Sequence, residues 1–147
     1  ASMASPNTHD MWPFAAWWDA DDVDDRVELE ILDEGQADDE RKGRAAVREK
    51  LAETWGLDDP DAASAMDACI KTLGASDAAT AVVSIEDLWG ERDPQNVPGI
   101  AEEYPSWRKR LALSTEAFRH DTEVLRRLQE LNDLRERKGA DHDRPDT

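Results

Sequence analysis

The stretch "AATAVVSI", residues 78 to 85, constrains the fold more than any other part of the chain. It is short, rich in β-branched residues and almost uninterruptedly apolar. That is the pattern of a strand covered on both faces, as in a parallel sheet. Residues 1 to 5 are small and mildly apolar and run into Pro6-Asn7, which reads as the tail end of another strand entering a loop. The remaining segments read as helices and one long loop. Two parallel strands do not make a stable sheet by themselves. The pattern therefore predicts an α/β fold in which this chain forms part of a larger sheet.

The helices are marked by caps and apolar spacing. Pro13 opens a short helix over Phe14 to Trp18, since proline suits the first turn. A helix is predicted from about Val23 to Leu32, with Val23, Val27 and Ile31 on one side and Gly35 as its stop. The next runs from about Ala37 to Trp55, acidic first and basic later as the helix dipole favours, with Val47, Leu51 and Trp55 as its buried stripe. Asp59-Pro60 caps a fourth helix bearing Ala63, Met66, Ile70 and Leu73 on one face and ending at Gly74. The last starts after Ser114 and reaches about Lys138, with a stripe of Leu125, Leu128, Leu131 and Leu134. Between the second strand and this helix lies "EDLWGERDPQNVPGIAEEYPSWRKRL", rich in proline, glycine and charge. A loop of that length is more often functional than idle. The order of elements is that of two βα units.

Composition narrows the function. The 147 residues fit one ordinary domain, 36% of them are charged, and the net charge is −17. Such a surface repels phosphates, which excludes nucleic acid and anionic membranes as partners. No apolar run reaches the ~20 residues of a membrane span, and the N-terminus has no signal-peptide pattern. Cys69 is the single cysteine, so neither an internal disulfide nor a multi-cysteine zinc site can form. This fits a reducing, cytoplasmic location. No Gly-x-Ser-x-Gly elbow, phosphate loop or metal-binding helix motif is present, and no metal or cofactor is predicted. Cys69 falls on the buried side of its helix and reads as core. The chain starts at Ala1, which reads as trimming or as a segment of something longer.

Few residues are placed to carry chemistry. His9-Asp10 sits in the loop after the first strand end. There a carboxylate can accept two sugar hydroxyls and an imidazole can hold one more. The competing reading is a solvated pair, with Asp10 only capping the Pro13 helix. Asp19, Asp21, Asp22, Asp24 and Asp25 form an acidic turn that lacks the glycine and the final glutamate of a calcium loop. Trp12, Trp17 and Trp18 could stack on sugar rings, although tryptophans at helical spacing more often pack in a core. Asn96, in "DPQNVPG", is placed to hydrogen-bond a hydroxyl or to serve an ordinary turn. Arg108 and Arg110 read as ion-pairing within the fold.

Taken together, "NTHDMWPFAAWW", "VVSIEDLWGE", "QNVPGIAEEYPSWRKRL" and "LSTEAF" resemble the C-terminal part of 4-α-glucanotransferases. These are the amylomaltases, or disproportionating enzymes, of glycoside hydrolase family 77. The resemblance covers nearly the whole chain, loosely over residues 20 to 77. It implies the last two βα units, with inserted helices, of a (β/α)8 TIM barrel. Residues 1 to 138 then belong to the catalytic barrel and 139 to 147 are a polar tail. The implied chemistry is retaining double displacement on α-1,4-glucans, with an aspartate nucleophile and a glutamate acid/base. Asp10 falls on the family's third carboxylate, which stabilises the transition state. His9 falls on that residue's neighbour, and Asn96 in a substrate-contacting loop. The implied partners are α-1,4-glucan oligosaccharides and the N-terminal part of the same barrel, which carries the nucleophile and the acid/base. Alone, such a piece is expected to be inactive. A rival expectation, from charge and helix content, is an acidic helical binding module without chemistry of its own.

Overall fold

A computed structural model describes residues 2 to 100, 104 and 106 to 142. Two strands, β1 (Met3–Ala4) and β2 (Thr80–Ala81), pair in parallel with Met3 opposite Thr80 and Ala4 opposite Ala81. The Thr80 N–H donates to the Ser2 carbonyl at 3.1 Å and the Val82 N–H to Ala4 at 2.9 Å. The parallel pairing agrees with the sequence, but the pair is shorter and barer than expected. Met3 is 72% and Val82 41% exposed, so neither face is fully covered. Six helices follow the chain: α1 (Phe14–Asp19), α2 (Asp21–Glu28), α3 (Glu34–Trp55), α4 (Ala62–Ala75), α5 (Thr115–Phe118) and α6 (Thr122–His142). A 3₁₀ turn spans Glu86–Trp89. From Gly90 to Leu113 the described residues hold no regular element.

The core lies where α1 and α6 pack on α4. Phe14 and Trp18 from α1, Ala65, Met66 and Ile70 from α4, Leu88 from the 3₁₀ turn and Val124 from α6 form one buried cluster. The Trp18 indole N–H donates to the Pro60 carbonyl at 3.0 Å, which satisfies its polar end inside this cluster. Arg127, nearly buried on α6, donates to Asp67 Oδ1 at 2.7 Å and to the Leu88 carbonyl at 2.6 Å. One guanidinium thus ties α6, α4 and the 3₁₀ turn together. Cys69 packs against the core, as its position suggested.

Several boundaries differ from the sequence reading, each for a local reason. Gly35 does not stop a helix but lies in the first turn of α3. Asp33 accepts from the Gln36 N–H and Gln36 accepts from the Asp33 N–H, both at 2.9 Å, so a capping box starts α3 early. Asp61, not Asp59, caps α4 by accepting from the Ser64 N–H at 2.8 Å. Gly74 sits inside the last turn of α4 rather than beyond it. The last helix is broken: Ser114 caps α5, and the Asp121 carboxylate accepts the Glu123 and Val124 N–H groups to start α6 afresh. On α6, Leu125 and Leu128 are exposed, whereas Val124 and Arg127 are buried. On α3, Val47 is exposed while Ala37 and Arg44 are buried. The helix α6 runs through His142, past the expected start of the polar tail, and residues 143 to 147 lie outside the described residues.

Candidate functional site

The loop from Ser5 to Pro13 carries the chain from β1 to α1. The Ser5 hydroxyl donates to the Asn7 carbonyl at 2.6 Å, and the Met11 N–H donates to Thr8 at 3.0 Å. These bonds fold Thr8 to Met11 into a turn with His9 and Asp10 at its tip. Pro13 then enters α1, whose first free N–H, at Phe14, donates to Asp87 Oδ1 at 2.7 Å. This bond joins the loop after β1 to the 3₁₀ turn after β2, across 73 positions of sequence.

His9, Asp10 and Asn96 meet in space. The Asn96 side-chain amide donates to Asp10 Oδ1 at 2.7 Å, and His9 Nε2 stands 3.4 Å from Asp10 Oδ2. Both members of the His-Asp pair are open to solvent, with 68% and 50% of their side chains exposed. The loop holding Asn96 is itself tied down: the Tyr104 hydroxyl donates to the Pro94 carbonyl at 2.6 Å and the Trp107 N–H to the Gln95 carbonyl at 2.7 Å. The His9 and Trp107 rings lie 5.7 Å apart, centre to centre.

His9 and Trp107 border a cleft of about 110 Å³, whose walls also include Met11, Glu86, Asp93 and Gln95, while Asp10 and Asn96 stand beside it, next in sequence to His9 and Gln95. A complete small-molecule site encloses ~300–1,000 Å³, and this cleft is smaller than that. Larger hollows lie elsewhere, about 480 Å³ between Arg48 and Pro60 and about 620 Å³ around Gly43. Neither is lined by His9, Asp10 or Asn96, whereas His9 lines the smaller cleft. Its carboxylates accept hydroxyl donors well and repel phosphate, which suits a neutral polyhydroxylated ligand.

Asp87 forms the floor, 2% exposed. Burial pushes its carboxyl up to about 6, partly offset by the Phe14 N–H and the Asn7 side chain, while Glu86 raises it further. Its Oδ2 has no hydrogen-bond partner among the described residues. Sequence reasoning passed over Asp87 and Trp107. A carboxylate inside an otherwise apolar turn and a tryptophan beside Tyr104-Pro105 were the available signals. Burial, with Asp87 nearby, lifts the Cys69 thiol to about 11, which disfavours the thiolate a nucleophile needs.

The remaining candidates are placed elsewhere. The acidic turn is occupied by cations: Arg92 pairs with Asp19 and Asp21, Arg41 with Asp24, and Arg44 clamps Asp22 at 2.7 and 3.0 Å. Asp25 accepts from the Trp12 indole at 2.7 Å. Trp18 is fully buried, and Trp17 packs against the core beneath Arg44. In the basic stretch, Lys109 rather than Arg108 or Arg110 pairs with Asp93, at 3.2 Å, and both arginines are exposed. Among the described residues no group of three or more His, Cys, Asp or Glu is arranged to hold a metal, and no helix is long and apolar enough to cross a membrane.

Residues 1–115, which hold every group of this cleft, match the sequence profile of the 4-alpha-glucanotransferases, glycoside hydrolase family 77. The chain belongs to that family. Proteins named 4-alpha-glucanotransferase from Mycobacterium bovis and Mycobacterium tuberculosis are each 34% identical to it over 112 residues. The match takes in 72% of this chain and 16% of each relative, so the chain spans about a sixth of their length. The family stretch ends at α5, and α6 lies beyond it.

Proposed function

We propose that this chain forms one wall of the active site of a 4-α-glucanotransferase. The wall comprises the last two βα units of a (β/α)8 barrel, and the substrates are α-1,4-glucan oligosaccharides. The observation that carries the reading is the 2.7 Å bond from Asn96 to Asp10, which joins two loops of family sequence 86 positions apart. The exposed faces of the strand pair also suit a larger α/β fold in which further elements cover them. In this reading Asp10 accepts hydroxyl protons of the donor sugar, and Asn96 fixes the carboxylate's orientation. His9 holds a further hydroxyl. As the ring flattens toward an oxocarbenium ion, the Asp10 charge stabilises it. The nucleophilic aspartate and the glutamate acid/base, ~5–5.5 Å apart in a retaining enzyme, come from earlier strands. The sugar then passes to an acceptor hydroxyl with net retention. Resident cofactors are not part of this scheme.

The test uses the protein from the complete reading frame with maltotriose. Asp10→Asn is expected to lower turnover on the order of 10²–10³-fold, the size typical of removing one preorganised electrostatic group. Unchanged disproportionation would remove Asp10 from the site. An acidic helical module without chemistry explains neither the parallel strand pair nor the meeting of His9, Asp10 and Asn96 from two distant loops.

A further inference from the structure

Trp107 differs from the other five tryptophans of the chain. Four of them donate their indole N–H, to Asp25, the Pro60 carbonyl, Thr72 and Glu91 respectively. The fifth, Trp17, packs against the core. Trp107 is 62% exposed. Its φ of +62° lies in the left-handed region, which bulky residues rarely adopt. Strain of that kind persists only where surrounding bonds over-determine the backbone, and it gathers at functional sites. Those bonds are present here. The Trp107 N–H donates to the Gln95 carbonyl at 2.7 Å, and the neighbouring Ser106 hydroxyl accepts the Val97 N–H at 3.2 Å. The Trp107 backbone is thereby fixed to the loop that carries Asn96, and its indole ring lies 5.7 Å from the His9 imidazole.

We infer that Trp107 is a further substrate-binding residue, whose indole is a stacking platform for a glucose ring adjoining the one held by His9 and Asp10. The inference rests on the reading of the cleft as a glucan site. A pyranose has an apolar face of C–H groups and an equatorial rim of hydroxyls. The cleft offers the matching pair of surfaces: an exposed indole for the face, and for the rim the carboxylates of Glu86 and of Asp93, the latter also paired with Lys109, with Asp10 beside the cleft next to His9. A platform whose backbone is already fixed has less freedom to lose on binding, which favours affinity.

The experiment compares wild type, Trp107→Ala and Trp107→Phe in the protein from the complete reading frame. The alanine variant is expected to raise KM for maltotriose on the order of tenfold while kcat stays within about twofold, the signature of lost uniform binding. Phenylalanine should restore most of the loss. Tryptophan emission should shift on adding uncleavable thio-linked maltotriose to wild type and should not shift in Trp107→Phe. This measurement decides the matter even if the alanine variant does not fold. Unchanged KM in both variants, or an emission shift that survives in Trp107→Phe, overturns the inference. Wild type that does not disproportionate maltotriose overturns the glucan reading itself, whereas active wild type with indistinguishable variants overturns only the platform.

Discussion

At Asp87 a single buried carboxylate caps the helix that follows the His9-Asp10 loop, and it does so from the turn after the second strand. Its folded value of about 6 stands above the ordinary 3.8, chiefly through burial. The sign follows from which state holds the proton. Between those values the folded chain keeps it and the unfolded chain does not, so the group's contribution is complete below about pH 4. It is lost as pH rises through about 6. The difference is worth on the order of 3 kcal/mol. Asp87→Asn keeps an oxygen for the Phe14 N–H and removes the ionisation. We expect the unfolding free energy of this variant, from denaturant titration, to exceed that of wild type at pH 7.5 by about 1–3 kcal/mol, with the gap closing toward pH 4. Parallel curves from pH 4 to 8 would reject a titrating Asp87. At this scale the sequence singled out His9, Asp10 and Asn96, and the structure brings these three together. It was silent on Asp87, because burial of a carboxylate arises from tertiary packing that no local pattern encodes.

The helices show where periodicity reads well and where it fails. On α4 the apolar face was visible, since Met66, Ile70 and Leu73 are buried as their spacing required. On α3 the inward face follows Ala37, Arg41, Arg44, Arg48, Leu51 and Trp55, in steps of three and four. Half of these positions are arginines, so an apolar-only reading chose the exposed Val47 instead. The arginine stems bury while their heads find Asp22, Asp24 and the Trp18 ring. Gly74 was taken for a helix stop, but its role is closeness. A methyl group there would lie 2.6 Å from Leu134 Cβ on α6. Because that neighbour is the stiff base of a side chain, the two helices must move apart. Gly74→Ala is expected to cost about 1–3 kcal/mol, read as a lowered melting temperature. A melting temperature equal to wild type would show that α4 and α6 adjust freely.

Across the whole molecule, the helices form a packed core while the sheet among the described residues consists of two short strands. With 18 Lys and Arg against 35 Asp and Glu, full pairing still leaves 17 acids without a cation, so the surface repels itself and favours solubility over compactness. The α1, α4 and α6 cluster holds against this repulsion, since its residues are almost wholly buried. The β1–β2 pair does not share that protection. Its hydrogen bonds at Thr80 and Val82 border exposed residues on both sides, and two short parallel strands are not stable by themselves. Hydrogen exchange distinguishes a self-sufficient chain from one wall of a barrel. In the isolated 147-residue chain, the Thr80 and Val82 amides should exchange at least ~100-fold faster than Ile70 in the core, because their opening requires only local unfolding. In the protein from the complete reading frame, neighbouring strands should cover the pair and bring both amides to within about tenfold of Ile70. Equal protection of all three in the isolated chain would sink the barrel-wall reading. The sheet would then owe its stability to these helices alone, and Asp10 and Asn96 would form a site in a domain that closes without further strands.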